Sequence, residues 1–171
     1  NAFLDIIEDA DILSGWNSEG YDIPYVVNRI TRILGKSETR RMCLWGQLPK
    51  TRMYEKGGKE CPTYYLIGRV HLDYMQLYKK YTYEERHSYS LDSICEYELD
   101  EKKVAYSGTL DQLYNKDFKK FLEYNIQDTN ILVELDRKLQ YVDLANSIAH
   151  TTLVLIPAVM GSVKMTEQSI V

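Results

Sequence analysis

The chain has 171 residues, 44% of them hydrophobic and 27% charged, enough for one domain with a genuine core and too apolar for disorder. Its net charge of −4 does not advertise the strongly basic surface of a tight, sequence-independent duplex binder, and leaves open a carboxylate site that recruits cations, so composition is neutral on function. The longest apolar run, Leu153 to Ile156, is far too short to span a bilayer, and the start lacks the charged and apolar regions of a signal peptide.

Residues 1 to about 9 read as a helix, with Phe3, Leu4 and Ile7 apolar and Asp5, Glu8 and Asp9 acidic. Asp11 to Leu13 opens a short apolar run, and Gly15 and Gly20 bracket a polar tip. Pro24 follows where the first turn of a helix accepts it, since the missing N–H costs nothing there. Ile23, Val26, Val27, Ile30 and Leu34 continue at helical spacing, and Gly35 stands where a helix C-terminus favours glycine. This strand, bend and helix hold Asp22 at a strand end beside a helix N-terminus, where α/β folds place their chemistry.

Lys36 to Lys50 is polar and basic around Leu44 and Trp45. Thr51 to Tyr54 and Thr63 to Ile67 read as a hairpin, with Gly57-Gly58 able to supply the positive φ of a tight turn. Arg69 to Leu72 is a further strand leading into Asp73, and Tyr74, Leu77, Tyr78 and Tyr81 then run at helical spacing. Asp73 is either a secondary acidic candidate or, more simply, a helix N-terminal Asp. Ser90 is an N-cap before Leu91, Ile94 and Cys95. Glu98 to Lys103 is read as a charged loop. Lys116 or Asp117 starts a long helix bearing Phe118, Phe121, Leu122, Ile131, Leu132, Leu135 and Leu139. On it Tyr124 and Asp128, four apart, share one face, which is equally what an exposed polar pair would do. A last helix, from about Tyr141 to Leu155, ends before Pro157.

Cys43, Cys61 and Cys95 are odd in number and widely spaced, with no Cys-x2-Cys pair, so a structural zinc is not expected and a reducing compartment fits. His71, His87 and His150 are scattered and read as surface or core residues rather than ligands. Several of the fifteen tyrosines could stack on bases, but the number alone decides nothing.

Asn17-Ser18-Glu19-Gly20-Tyr21-Asp22 resembles the second exonuclease motif of family B DNA polymerases, and Tyr124 to Asp128 resembles their third, Tyr-x3-Asp. Ile12 to Asn17, Leu72 to Lys80 and Ser88 to Asp92 look like the T4-like bacteriophage group of that family, in the same order. The resemblance runs to about Leu144. It implies an α/β, ribonuclease H-like 3′–5′ exonuclease fold, truncated at its N-terminus and carrying an inserted β-hairpin. Residues 1–145 would form the exonuclease domain, and residues 146–171 a helical segment leading toward the next polymerase domain. In the resembling polymerases a hairpin from this region helps move the primer end between two active sites; a plain surface hairpin is the alternative.

The resemblance also implies roles. Asp22 and Asp128 would be catalytic metal ligands for two divalent ions (Mg²⁺ or Mn²⁺), and whether the fragment alone holds any is open. Tyr124 would orient the attacking water, Asn17 would bond the substrate strand, and Tyr21 would pack on its terminal sugar or base. Asn17 could instead cap the bend, and Tyr21 could be a core aromatic. The partners implied are the single-stranded 3′ end of a DNA primer, the remaining polymerase domains and, through the parent, a sliding clamp and replisome proteins, in the cytoplasm of an infected bacterial host.

One departure stands out. The family's first motif, an Asp-x-Glu on an early strand, lies well upstream of the second, and here only 21 residues precede Asp22. The start at Asn1 and the lack of a stop signal at Gln168 to Val171 suggest a fragment. The expectation is an incomplete site, inactive alone, in a proofreading parent. The alternatives are a non-catalytic DNA-binding or scaffold domain of the same fold, and a free-standing nuclease with an acidic ligand from elsewhere in the sequence.

Overall fold

The computed structural model describes residues 2–100, 110–161 and 166–167. They fall into two compact units, residues 1–83 with 142–171, and residues 84–141.

In the first unit a short helix, α1 (Ala2–Ile6), leads to strand β1 (Ile12–Gly15) and helix α2 (Asp22–Ile33). The apolar spacing of α2 does what it predicts: Ile23, Val27 and Ile30 are buried. Ile23 and Ile30 join Leu4, Ile7, Met42, Cys43 and Leu66 in one core. Pro24 is the third residue of α2, within the first turn. Gly35 takes φ +97° just past the helix end, a value costly for any side chain. The basic stretch after it, read only as polar chain, begins as a 3-10 helix, Lys36–Met42, whose Thr39 and Met42 are buried.

The hairpin forms and is longer than its sequence signal. Strands β2 (Lys50–Lys56) and β3 (Lys59–Tyr65) pair antiparallel, with Lys56 opposite Lys59. The two-residue turn is Gly57 and Gly58, at φ +59° and +75°, the left-handed pair that matches strand twist. Strand β4 (Val70–Asp73) then pairs parallel with β1, with Gly15 opposite Asp73, and helix α3 (Tyr74–Tyr81) follows at once. Tyr74, Leu77 and Tyr78 are buried, and Trp16 lies across both tyrosine rings at 6.4 and 6.1 Å between centroids.

The second unit holds α4 (Leu91–Leu99), α5 (Leu110–Lys116) and α6 (Phe118–Leu139). Ser90 caps α4 as expected, accepting from Ser93 N–H, and Asp117, one of two residues read as starting α6, caps that helix by accepting from Lys120 N–H. Of the charged loop expected from Glu98 to Lys103, Glu98 and Leu99 belong to α4, and residues 101–103 lie outside the described residues, as do Gln168 to Val171. Among the described residues of this unit, Ile94, Cys95, Leu113, Ile131 and Leu135 are the buried apolar ones. Arg86 sits 3.6 Å over the Tyr97 ring and pairs with Glu84 and Glu98.

Back in the first unit, α7 (Tyr141–Thr152) ends three residues earlier than the position of Pro157 suggests. Leu153 turns left-handed, at φ +53°, and breaks the helix before proline can act. Pro157 instead opens a second 3-10 helix, Ile156–Met160, whose Met160 carbonyl accepts from Lys80 Nζ at 3.1 Å. Leu77 is fully buried and Leu153 is 84% exposed. Leu77→Ala is therefore expected to cost about 2–5 kcal/mol and Leu153→Ala less than about 0.5 kcal/mol, read from urea unfolding midpoints.

Candidate active site

The turn between β1 and α2 brings Asn17, Tyr21 and Asp22 together. It folds back tightly: a Cβ on Gly15 would lie 2.9 Å from Ser18 Cβ, so only glycine fits at the strand end. Asn17 takes φ +56°, a backbone conformation that Asn tolerates better than most residues. Its carbonyl accepts from Gly20 N–H at 3.2 Å, and the Ser18 carbonyl accepts from Ile23 N–H at 3.0 Å, which starts α2.

Asp73 holds this turn from across the strand pair. Its Oδ1 accepts from Asn17 N–H at 3.1 Å and Met75 N–H at 3.0 Å, and its Oδ2 accepts from Glu19 N–H at 3.1 Å. It is the N-cap of α3, the simpler of the two roles open to it in the sequence. It is also a clamp on the motif turn, which the sequence did not reveal. The signal available was the parallel register, which sets Gly15 beside Asp73. Both oxygens are engaged by backbone N–H groups, so Asp73 is poorly suited to a metal.

His71 is tied to the turn as well. Its Nε2 stands 2.8 Å from Ser18 Oγ, which is also 3.1 Å from the Gly15 carbonyl. With the single hydroxyl proton directed at Gly15, the ring donates its Nε2–H to Ser18. Burial and then the Arg52 charge push the His71 pKa down to about 4. His87 and His150 are exposed, as surface histidines are.

Asp22 is the first residue of α2, and its residue surface is open to solvent. Surrounding protein nevertheless raises its carboxyl above the ordinary value; its own backbone N–H opposes that, and the Asp73 charge adds to it. A desolvated carboxylate beside a second one is a donor that a hard cation would relieve. Tyr21, just before it, is 65% exposed and stacks on Tyr25, rings 6.0 Å apart and 6° from parallel. It is not a core aromatic.

The other two candidates stand in the second unit. Tyr124 and Asp128 lie one turn apart on α6, half-buried, in the stripe that continues to buried Ile131 and Leu135. Asp128 Oδ1 is shut off from solvent. Among the described residues no three His, Cys, Asp or Glu side chains group as a metal cage requires.

The hairpin meets the motif turn at Glu19. Arg52 pairs with the Glu19 carboxylate, and Thr63 Oγ1 donates to the Glu19 carbonyl at 2.8 Å. A cleft of 290 Å³ opens here, lined by Glu19, Arg52, Tyr54, His71 and Asp73 among others.

Residues 1–94, more than half of the chain and including the whole motif turn, match the family described as DNA polymerase family B, exonuclease domain. The chain belongs to that family. It is 37% identical over 159 residues to the DNA-directed DNA polymerase of Escherichia phage RB69, covering 90% of this chain and 17% of that protein. To the DNA-directed DNA polymerase of Enterobacteria phage T4 it is 32% identical over 155 residues, again 90% of this chain and 17% of the relative. A DNA polymerase of Orgyia pseudotsugata multicapsid polyhedrosis virus is 27% identical over 155 residues, covering 85% and 15%. The chain thus spans about 17% of the length of its phage relatives. The family resemblance read from the two motifs holds. No described helix is long and apolar enough to cross a membrane.

Two pH effects follow. His71 takes up a proton at pH 6.5 in the unfolded chain but only near 4 in the fold, so stability is lost as pH falls through that window, by at most about 3 kcal/mol. His71→Gln should flatten this slope in urea unfolding series. Asp22 behaves oppositely: its raised native pKa favours the fold below the ordinary 3.8, and that gain is lost as pH rises through the native value. Asp22→Asn should therefore be more stable than the parent at pH 7, with the difference fading at pH 3.

Proposed function

We propose that this chain carries part of the 3′–5′ proofreading exonuclease site of a phage replicative DNA polymerase, in a ribonuclease H-like fold of which β1 and β4 are two neighbouring strands. The observation that carries the reading is the motif turn: a strand end clamped by Asp73 and His71 that presents Asp22 at the head of α2. Such rigidity is what a catalytic carboxylate needs. The site belongs to residues 1–145, and β2–β3 is a hairpin inserted between the site strands.

Oxygen donors of this kind fit hard divalent ions, Mg²⁺ or Mn²⁺, and Asp22 and Asp128 are the residues that would hold them. Such ions supply a nucleophilic water and stabilise the leaving oxygen. Tyr124, one turn from Asp128, would orient that water through its hydroxyl. Tyr21 and Tyr25 offer a stacked, exposed aromatic face on which a terminal base or sugar can pack. The Asn17 amide is engaged by Asp73, which fixes the residue while its side chain serves the strand.

Two carboxylates are fewer ligands than two ions need, so this chain alone would be inactive and the family's Asp-x-Glu would supply further acids. The substrate is the single-stranded 3′ end of a primer. The partners are the remaining polymerase domains and, through them, a sliding clamp and replisome proteins in the host cytoplasm.

The test is degradation of a 3′-labelled single-stranded oligonucleotide with Mg²⁺ or Mn²⁺. This chain, a version joined to an upstream Asp-x-Glu segment, and that version with Asp128→Ala are compared. Only the joined, unmutated protein is expected to shorten the DNA, with Asp128→Ala slower by at least about a hundredfold, a loss of the size seen when transition-state charge stabilisation is removed. Equal cutting by this chain alone contradicts the incomplete site. If no version cuts, the domain is a DNA-binding scaffold.

A further inference from the structure

Each polar group of Glu19, N–H, carbonyl and carboxylate, is engaged from outside the motif turn. Its N–H donates to Asp73 Oδ2 at 3.1 Å, its carbonyl accepts from Thr63 Oγ1 at 2.8 Å, and its carboxylate pairs with Arg52. Arg52 and Thr63 are directly opposite each other in the hairpin register, so one cross-strand pair grips one residue from the same sheet face. Thr63 is 1% exposed, and the Glu19 side chain is largely covered, so the joint is shielded from water on the Thr63 side. A second tie runs from the next hairpin residue, Tyr64, whose hydroxyl donates to Asn28 Oδ1 on α2 at 2.9 Å. The hairpin base therefore holds the turn and the helix on either side of Asp22.

We infer that Glu19 is a positioning residue for the exonuclease site, the joint through which the state of the β2–β3 hairpin sets the order of the turn that presents Tyr21 and Asp22. This rests on the function proposed above. The coupling runs both ways: what orders the turn also steadies the hairpin, and a pull on the hairpin loosens the turn. Asp73 and His71 hold the turn from the β4 side independently, so loss of the hairpin grip loosens the turn without dissolving it.

The experiment is amide hydrogen exchange by NMR on the full 171-residue chain, for the parent, Arg52→Gln, Thr63→Val and the charge swap Glu19→Arg with Arg52→Glu. Arg52→Gln and Thr63→Val are each expected to cut protection at Gly20 and Ile23 by about five- to tenfold, the size of one net hydrogen bond, with Ile131 and Leu135 unchanged. The charge swap should recover most of that loss. Arg52→Lys keeps the charge and should retain protection, a comparison that holds even if Arg52→Gln loosens the whole unit. Parent-like exchange at the turn in both single variants overturns the joint.

A second readout separates positioning from plain stability. Affinity for a single-stranded tetranucleotide with a free 3′ end should fall about fivefold in Arg52→Gln, in line with the loss of one net hydrogen bond, and return in the swap. Unchanged affinity beside loosened exchange overturns the positioning role. A parent chain that does not bind the tetranucleotide overturns the strand-binding roles proposed above for Asn17 and Tyr21, while the exchange comparison still decides the joint.

Discussion

The first unit depends on one carboxylate that accepts backbone N–H groups from both a turn and a helix start. Asp73 ends β4, caps α3 and binds the turn after β1, so a single side chain fixes a strand, a helix start and a loop. Burial alone raises its carboxyl, and the backbone hydrogen bonds work against that. Both effects follow from the parallel register that sets Gly15 beside Asp73. A slip of one residue would turn every strand side chain to the opposite face and remove the clamp.

The two neighbouring acids are held in different ways. Asp73 is held by donors and serves the fold. Asp22, beside it, is desolvated and repelled by its neighbour, and so is a group whose ionisation works against the fold. Acids of that kind recur where a cation or a reacting group is expected. The Tyr21–Tyr25 stack adds an exposed aromatic face next to the acid rather than beneath it. On α6, in the other unit, Tyr124 and Asp128 lie one turn apart, half-buried, in the stripe that continues to buried Ile131 and Leu135.

Local signals were the legible part of the sequence. Helical spacing located α2, α3 and α6, Ser90 marked a cap, and Gly57-Gly58 marked a tight hairpin turn. Strand edges and helix ends were less legible because tertiary contacts set them. α7 stops at Leu153 rather than under the influence of Pro157, and the basic stretch after α2 curls into a 3-10 helix around buried Met42. In the site, the motif residues could be named from the sequence, but their supports could not. Asp73 is 56 residues from Asn17, and Thr63 is 44 from Glu19, so no window of local pattern contains either pair. His71 looked incidental for the same reason: its partner Ser18 lies 53 residues away.

The most direct test of the central claim, that Asp22 and Asp128 are the acids that take the metal, is an Mn²⁺ titration followed by NMR on the chain joined to an upstream Asp-x-Glu segment. The account predicts that paramagnetic broadening begins at Asp22 and Asp128 at the lowest Mn²⁺, while Asp73 keeps its signals longer, and that Asp22→Asn abolishes it at both acids or weakens it sharply. Broadening centred on Asp73, or spread over surface carboxylates with Asp22 and Asp128 spared, would contradict it.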